Sequence, residues 1–568
     1  MYNLNDALRK EINLSTAWSL VEKFAHQHRE KPEDANRGAE MIAEALQAEG
    51  VPVTMHTPEL FLSLPGAASV EAEGVRFAAK PPAFCASIPD GIEAELVFVD
   101  EAGGGTPLDR NPMRTNADLT GKIAVIEGFA LPNFVAGLEA AGVAGVIAVN
   151  PGEMIHWGTV STIWGTPEPA DLLRLPRIPS AAVNQSGGQK LIALAQRGGR
   201  ARIRTELETG WFVQKMPVVE IPGSEYPEEF VLLHGHYDSW REGVGDNGTG
   251  NACMLEIARV LWSQRDKLKR SVRLAWWAGH STGRYGGSAW FADTFAIDLA
   301  ENCVAHMNCD SPGCRWATDY SSISCMSETE ALVQQVVAEV TGQQAKRKRP
   351  QRNSDYSFNN IGISGCFMAS SMMTDKTRAE KNYYVVGGCG GNIAWHTEAD
   401  TFEIADKDVL LKDIELYLEA VTKVANAEVL PMDWRATAAE FTATIAEYQA
   451  AAGDRFDLQP AAVAASDLSG VLDRFYSALD AGGIPADSAN PVLKGLARIL
   501  VPINYTRGPR FTHDPALNVP PLPAIAEAEI LDGASPDQIG FVETQLLRGR
   551  NRVVAALREA TRLVETTL

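Results

Sequence analysis

FVLLHGHYDS, residues 230–239, decides how the rest of this chain is read. Residues 230–234 form a mostly apolar run, the pattern of a buried strand. The run ends in His234, His236 and Asp238. His236 and Asp238 are two apart, so an extended backbone points both to one side. An imidazole and a carboxylate in that relation can share one metal, or one can ligate while the other orients it. A strand end followed by an Asp-Gly turn explains His-x-Asp equally well without any metal. What adds weight is Asp246, in GDNGTG, which places a second carboxylate at the mouth of the strand. The turn leads into 249–262, whose apolar periodicity is helical.

The pattern recurs downstream. Residues 272–278 read as a strand that ends at Gly279, His280 and Ser281. A helix is expected over 287–297, then a strand over 303–308 that ends at Asp310. Strands separated by helices of this length predict crossover units around a mixed, mainly parallel α/β sheet. Each polar candidate then falls just past the C-terminal end of a strand, where open α/β folds place their sites. His396, in WHTEADT at 395–401, precedes a helix expected over 405–425. VVGGCGG at 385–391 lacks the Lys-Ser/Thr of a phosphate loop, so no nucleotide is expected there. Asp355 and Phe358 fall in a polar loop before GISGCFMAS, 362–370, which reads as a short sheet-like piece.

The flanks are less informative. Residues 1–50 have helical periodicity, and His26 and His28 read as helix-end or gate residues rather than ligands. Strand patterns at 95–99, 122–127 and 143–149 surround a helix expected over 131–142. Residues 431–568 read as mainly helical (437–451, 468–481, 492–500 and 539–566), with no metal cluster. His513 and Asp514 there read as a local cap.

A net charge of -21 over 568 residues leaves no basic excess to neutralise phosphates, so neither nucleic acid nor an acidic membrane is an expected partner. Eight cysteines without a CxxC pair suggest free thiols in a reducing compartment; Cys309, beside Asp310, is the one adjacent to a candidate ligand. The beginning MYNLNDALRKEINL lacks an apolar signal core, and no run of eighteen apolar residues occurs. A soluble, cytoplasmic protein is expected.

The set HGHYDS, GVGDNGTG, WWAGHS, MNCD and WHTEADT resembles the M28 family of zinc metallopeptidases, aminopeptidases and carboxypeptidases with a phosphorylase-like α/β core. DLTGKIAV at 118–125, AAGVAGVIAVN at 140–150 and IPS at 178–180 resemble the protease-associated domain inserted in several exopeptidase families. A generic small α/β domain is the plainer reading of the same stretch. With the helical tail, the resemblance extends to the branch containing glutamate carboxypeptidase and transferrin receptor, whose tail is a dimerisation domain. It implies a catalytic α/β domain from 1–80 and 206–430, an insert at 81–205 that would roof a cleft, and a dimerisation domain at 431–568. It further implies that His236 and Asp310 hold one metal, Asp246 bridges two, His396 belongs to the second, and Asp238 orients His236. Zinc is the family default, as one or two ions; iron, manganese or cobalt accept the same donors.

The departure lies at 280 and 281. Peptidases of the family carry a Glu-Glu pair there, the first a general base and the second a metal ligand; this chain has His280 and Ser281. A serine hydroxyl is a poor replacement ligand. His280 can take a proton as the base, or turn inward and replace the missing ligand. Arg284 and Tyr285 follow as anion or oxyanion contacts, or as a salt bridge and a packed ring. The expected function is a metal-dependent hydrolase of an amide or related C–N bond in a small molecule or short peptide. The alternatives are a lyase or cyclisation on the same scaffold, and a non-catalytic, dimeric binding protein.

Overall fold

Two larger sheets organise the chain. In the computed structural model, residues 4–99, 118–367 and 371–568 are described. Their strands are β1 (Thr54–His56), β2 (Glu59–Ala72), β3 (Val75–Ala79), β4 (Ile88–Phe98), β5 (Ile123–Glu127), β6 (Gly145–Val149), β7 (Ser180–Val183), β8 (Arg200–Val213), β9 (Met216–Ile221), β10 (Tyr226–His236), β11 (Arg270–Trp277) and β12 (Cys303–Asn308).

The 230–234 run is the inner end of β10. Val231, Leu232 and Leu233 are fully buried and Phe230 nearly so. Burial of such side chains contributes about 1.5–3 kcal/mol each, which explains why this run takes a central position. The core sheet has the order β1-β9-β11-β10-β12. Helices cover it: Thr249–Ser263, buried along most of its length, and Lys407–Ala425. The second of these starts where the Asp406 side chain accepts the amides of Asp408 and Val409.

The expectation of a mainly parallel sheet is overturned. In the core sheet β10 pairs in parallel with β11 and β12, but β1–β9 and β9–β11 run antiparallel. The second sheet, β3-β2-β8-β4-β5-β6-β7, is likewise mixed. Its β2–β3, β2–β8 and β4–β8 ladders are antiparallel, and β4–β5, β5–β6 and β6–β7 are parallel. The sequence-based expectation rested on the strands that carry polar candidates, and those are the parallel ones. β2 and β8 escaped notice: β2 carries Pro65 and Gly66 at an irregularity in its register, and β8 is half-exposed, with charged residues between its apolar ones. A main-chain bridge between Lys80 and Ala182 brings the β3 edge to β7, so this sheet is nearly closed into a barrel.

Beyond residue 430 the longer elements are helices: Trp434–Ala452, Gln459–Asp480, Ala486–Tyr505 and Pro536–Glu565. Among the described residues no helix is long and apolar enough to cross a membrane. In the GISGCFMAS stretch Gly365 bridges to His306, and residues 368–370 lie outside the described residues.

The parallel core brings three strand ends to one edge, with His236 opposite Trp277 and His234 opposite Asn308. Gly235 makes this approach possible, since a Cβ there would lie 2.4 Å from the Cys309 carbonyl oxygen.

Candidate metal centre

His236 ends β10 and is buried. Its Nε2 lies 3.1 Å from Asp246 Oδ1 and 3.6 Å from Asp310 Oδ1. The other oxygen of Asp246, Oδ2, lies 3.2 Å from His396 Nε2. Asp246 therefore stands between two imidazoles with one oxygen toward each. Asp400 holds it in place by accepting the Gly245 amide on Oδ1 (2.6 Å) and the Asp246 amide on Oδ2 (2.9 Å).

His280 follows the end of β11, and its ring stacks on His236 at 3.9 Å between centroids. Its amide donates to both oxygens of Asp238, at 3.1 and 3.0 Å. The Asp238 carboxylate is thereby engaged by the His280 main chain and stands 3.9 Å from His236 Nδ1, which donates instead to the Asp238 carbonyl at 2.8 Å. His280 Nδ1 donates to Asp355 Oδ2 at 2.7 Å. His396 Nδ1 donates to the Trp157 carbonyl at 3.0 Å. All three imidazoles thus tie Nδ1 to an oxygen, the arrangement that orients histidine ligands, and in His236 and His396 Nε2 meets the Asp246 carboxylate.

One ligand atom each from His236, His280 and Asp310 lie within 4.8 Å of one another. Two imidazoles and a carboxylate at that spacing, with Asp246 beside them, fit a divalent cation such as zinc. Electrostatics agree. Burial depresses the pKa of His236, but hydrogen bonds and charge from Asp246 and Asp310 outweigh it and raise the pKa well above 6.5. Burial would raise Asp246, but hydrogen bonds from His236 and His396 hold it well below the usual carboxylate range. Asp400 is pushed up to about 7, first by burial and then by the charge of Asp246. Asp355 lies below its ordinary value because His280 and Ser288 outweigh its burial.

Beside the cluster opens a small cleft lined by His236, Asp238, Ser239, Trp240, Asp246, Ser281, Thr282 and His396. Tyr285 reaches the site through His280, whose ring it meets edge-on at 5.0 Å, and it packs on Trp164 at 4.1 Å. Arg284 donates to the Tyr285 hydroxyl at 3.0 Å and to the Ala516 carbonyl at 3.3 Å.

Several residues at the site had no assigned role in the sequence reading. Asp355 and Asp400 stood in segments already noted, but their partners are far away in sequence. Arg29 is fully buried and donates to the carbonyls of Tyr237 (2.7 Å) and Gly243 (3.0 Å), bracing the 237–243 loop. Trp157 stacks on Trp240 at 5.9 Å. Nothing periodic marks any of them. Elsewhere, His26 is exposed, and His28 pairs with Glu242 at 3.1 Å. His513 pairs with Asp293 at 2.8 Å, while Asp514 accepts the Arg507 and Gly508 amides. All eight cysteines, Cys309 included, are free and buried.

Comparison with known proteins finds matches to the segment that carries this site. The profile described as Peptidase family M28 matches residues 218–421. Carboxypeptidase Q of Bos taurus is 28% identical over 214 residues, covering 36% of this chain and 43% of that protein. The probable glutamate carboxypeptidase VP8 of Zea mays is 36% identical over 93 residues, covering 16% of this chain and 13% of its own length. These matches span less than half the length of the curated relatives. Among solved structures, a zinc aminopeptidase from Bacillus subtilis superposes with a TM-score of 0.55 at 19% identity, covering 73% of this chain and 96% of that one. A peptidase M28 precursor from Shewanella amazonensis gives 0.58 at 18% identity, covering 75% and 97%. At such identities the likeness is one of fold.

Proposed function

We propose that this chain, whose residues 218–421 belong to peptidase family M28, is a metal-dependent hydrolase of an amide or related C–N bond. The observation that carries the reading is the convergence of His236, His280, Asp310 and Asp246 at the ends of the parallel strands. A divalent cation bound there polarises the substrate carbonyl and makes water more acidic. Zinc is the first expectation. Asp246 and Asp310 supply negative charge to hold it, and His236 a neutral nitrogen. Ser281 leaves the His396 side short of a strong donor, which favours one ion over two.

His280 Nε2 takes the proton of the attacking water, a contribution of roughly 10²–10⁴ in rate. Asp238 secures the His280 main chain. Arg284 and Tyr285 back the ring rather than contact the developing charge. The small cleft, lined by Trp240, on which Trp157 stacks, favours a small molecule or short peptide. We assign Trp157 to a protease-associated-like insert at 81–205, and Trp240 to the catalytic domain of 1–80 and 206–430 into which it is set. Residues 431–568 form the dimerisation unit, as in the glutamate carboxypeptidase and transferrin receptor branch, and the protein works in the cytoplasm.

A second reading rests on the His280–Asp355 pair, which can move a proton on a substrate without water, as in a lyase or cyclisation. Elemental analysis of protein purified without chelator should find at least one divalent metal per chain. A screen of small amides and dipeptides in ¹⁸O-water then separates the two reactions, because only hydrolysis places the label in the product. A folded, metal-free chain that gains no activity with added metal rejects both.

A further inference from the structure

The geometry points to Asp355 as the positioning residue of this site: its carboxylate fixes the tautomer and ring orientation that present His280 Nε2 to the His236–Asp310 cluster. Asp355 is fully buried, and both oxygens are engaged. Oδ2 accepts His280 Nδ1 at 2.7 Å and Oδ1 accepts the Ser288 hydroxyl at 2.8 Å. Ser288 Oγ is 2.8 Å from Ser357 Oγ, which accepts the Trp164 indole N–H at 2.8 Å. The chain of contacts prevents the carboxylate from turning away. An ionised carboxylate only accepts, so the proton of a neutral His280 must sit on Nδ1, leaving the Nε2 lone pair exposed to the cluster.

The local backbone supports this assignment. Ser354 and Asp355 both have left-handed φ, +52° and +56°, a conformation that non-glycine residues adopt only at a cost. That cost, added to burial of a carboxylate, is sustained where the surroundings over-determine the geometry. The partner is His280, 75 residues away in sequence.

The inference concerns the same site as the hydrolase reading, but its test does not need a substrate. Full-length protein with ¹⁵N-labelled histidines, at pH 8, should show one ring with a protonated Nδ1 and a bare Nε2 whose signals disappear in His280→Asn. Any other protonation pattern for that ring overturns the proposal. The control is Asp355→Asn, whose amide can donate as well as accept and so no longer fixes the tautomer: in that variant the ring should populate the form protonated on Nε2. An unchanged ¹⁵N pattern in folded Asp355→Asn would mean that Asp355 merely supports the loop and would refute the proposal. Metal content of the parent, read by elemental analysis, tests the hydrolase reading separately, and the ¹⁵N pattern decides for or against Asp355 whatever that content is.

Discussion

Asp246 is the most constrained residue of the site. One oxygen faces His236 and the other His396, while its amide is fixed by Asp400. Asp246→Asn keeps the shape and removes the charge that a cation needs. Elemental analysis should then show loss of stoichiometric metal from a chain that remains folded; retention of the metal would place the binding elsewhere. His280 sits differently, since its amide is held by Asp238 and its ring by Asp355 and the stack on His236. His280→Ala should lower turnover roughly 10²–10⁴-fold. If His280 acts as the base, metal content stays near that of the parent. If it is also a ligand, metal content falls with turnover. Unchanged turnover and unchanged metal would eliminate both roles.

At the level of elements, the site depends on how closely β10 and β12 approach. Gly235 is where they meet, and an added Cβ 2.4 Å from the Cys309 carbonyl oxygen cannot be accommodated without moving backbone. Gly235→Ala should cost about 1–3 kcal/mol in urea denaturation, as overpacking does. It should also weaken zinc, because His236 is the next residue and Asp310 follows Cys309. Full stability together with parent zinc affinity would show that the strand ends have more freedom than the geometry indicates. The barrel contributes as well. Trp157 gives its carbonyl to His396 and its ring to Trp240, so an element outside the core sheet helps orient a candidate ligand.

For the whole molecule, stability should follow pH through the buried histidine pair beneath the site. His306 Nδ1 lies 3.1 Å from His234 Nε2, and both rings are fully buried. Burial, then the neighbouring His234, pulls the His306 pKa well below 6.5. Folded His306 therefore stays neutral while the unfolded chain takes up a proton below pH 6.5, so stability is intact above that pH and falls as acid is added. The slope is about 1.4 kcal/mol per pH unit for one proton. Urea midpoints at pH 7 and pH 5 should fall less for His306→Asn than for the parent; parallel slopes would exclude this pair as the cause. The assembly is tested separately. A homodimer through residues 431–568 should scatter light as twice 61.4 kDa, and a monomer at micromolar concentration would refute it.

Much of the local structure was legible in sequence. The strand at 303–308 matches β12, the helix at 249–262 differs from the observed one by a single residue, and the His-x-Asp motif with Asp246, Asp310 and His396 lies where the strand ends converge. Such features follow from periodicity and turn chemistry, which act over a few residues. Partner choice does not. Period-two alternation tells which face of a strand is buried but not whether its neighbour runs parallel or antiparallel, so the mixed sheets and the long β2–β8 ladder emerged only from packing. For the same reason Asp355 reached His280, and Trp157 reached His396, without any local sign. Those contacts join segments 75 and 239 residues apart, and burial of intervening apolar surface, rather than any motif, brings them together.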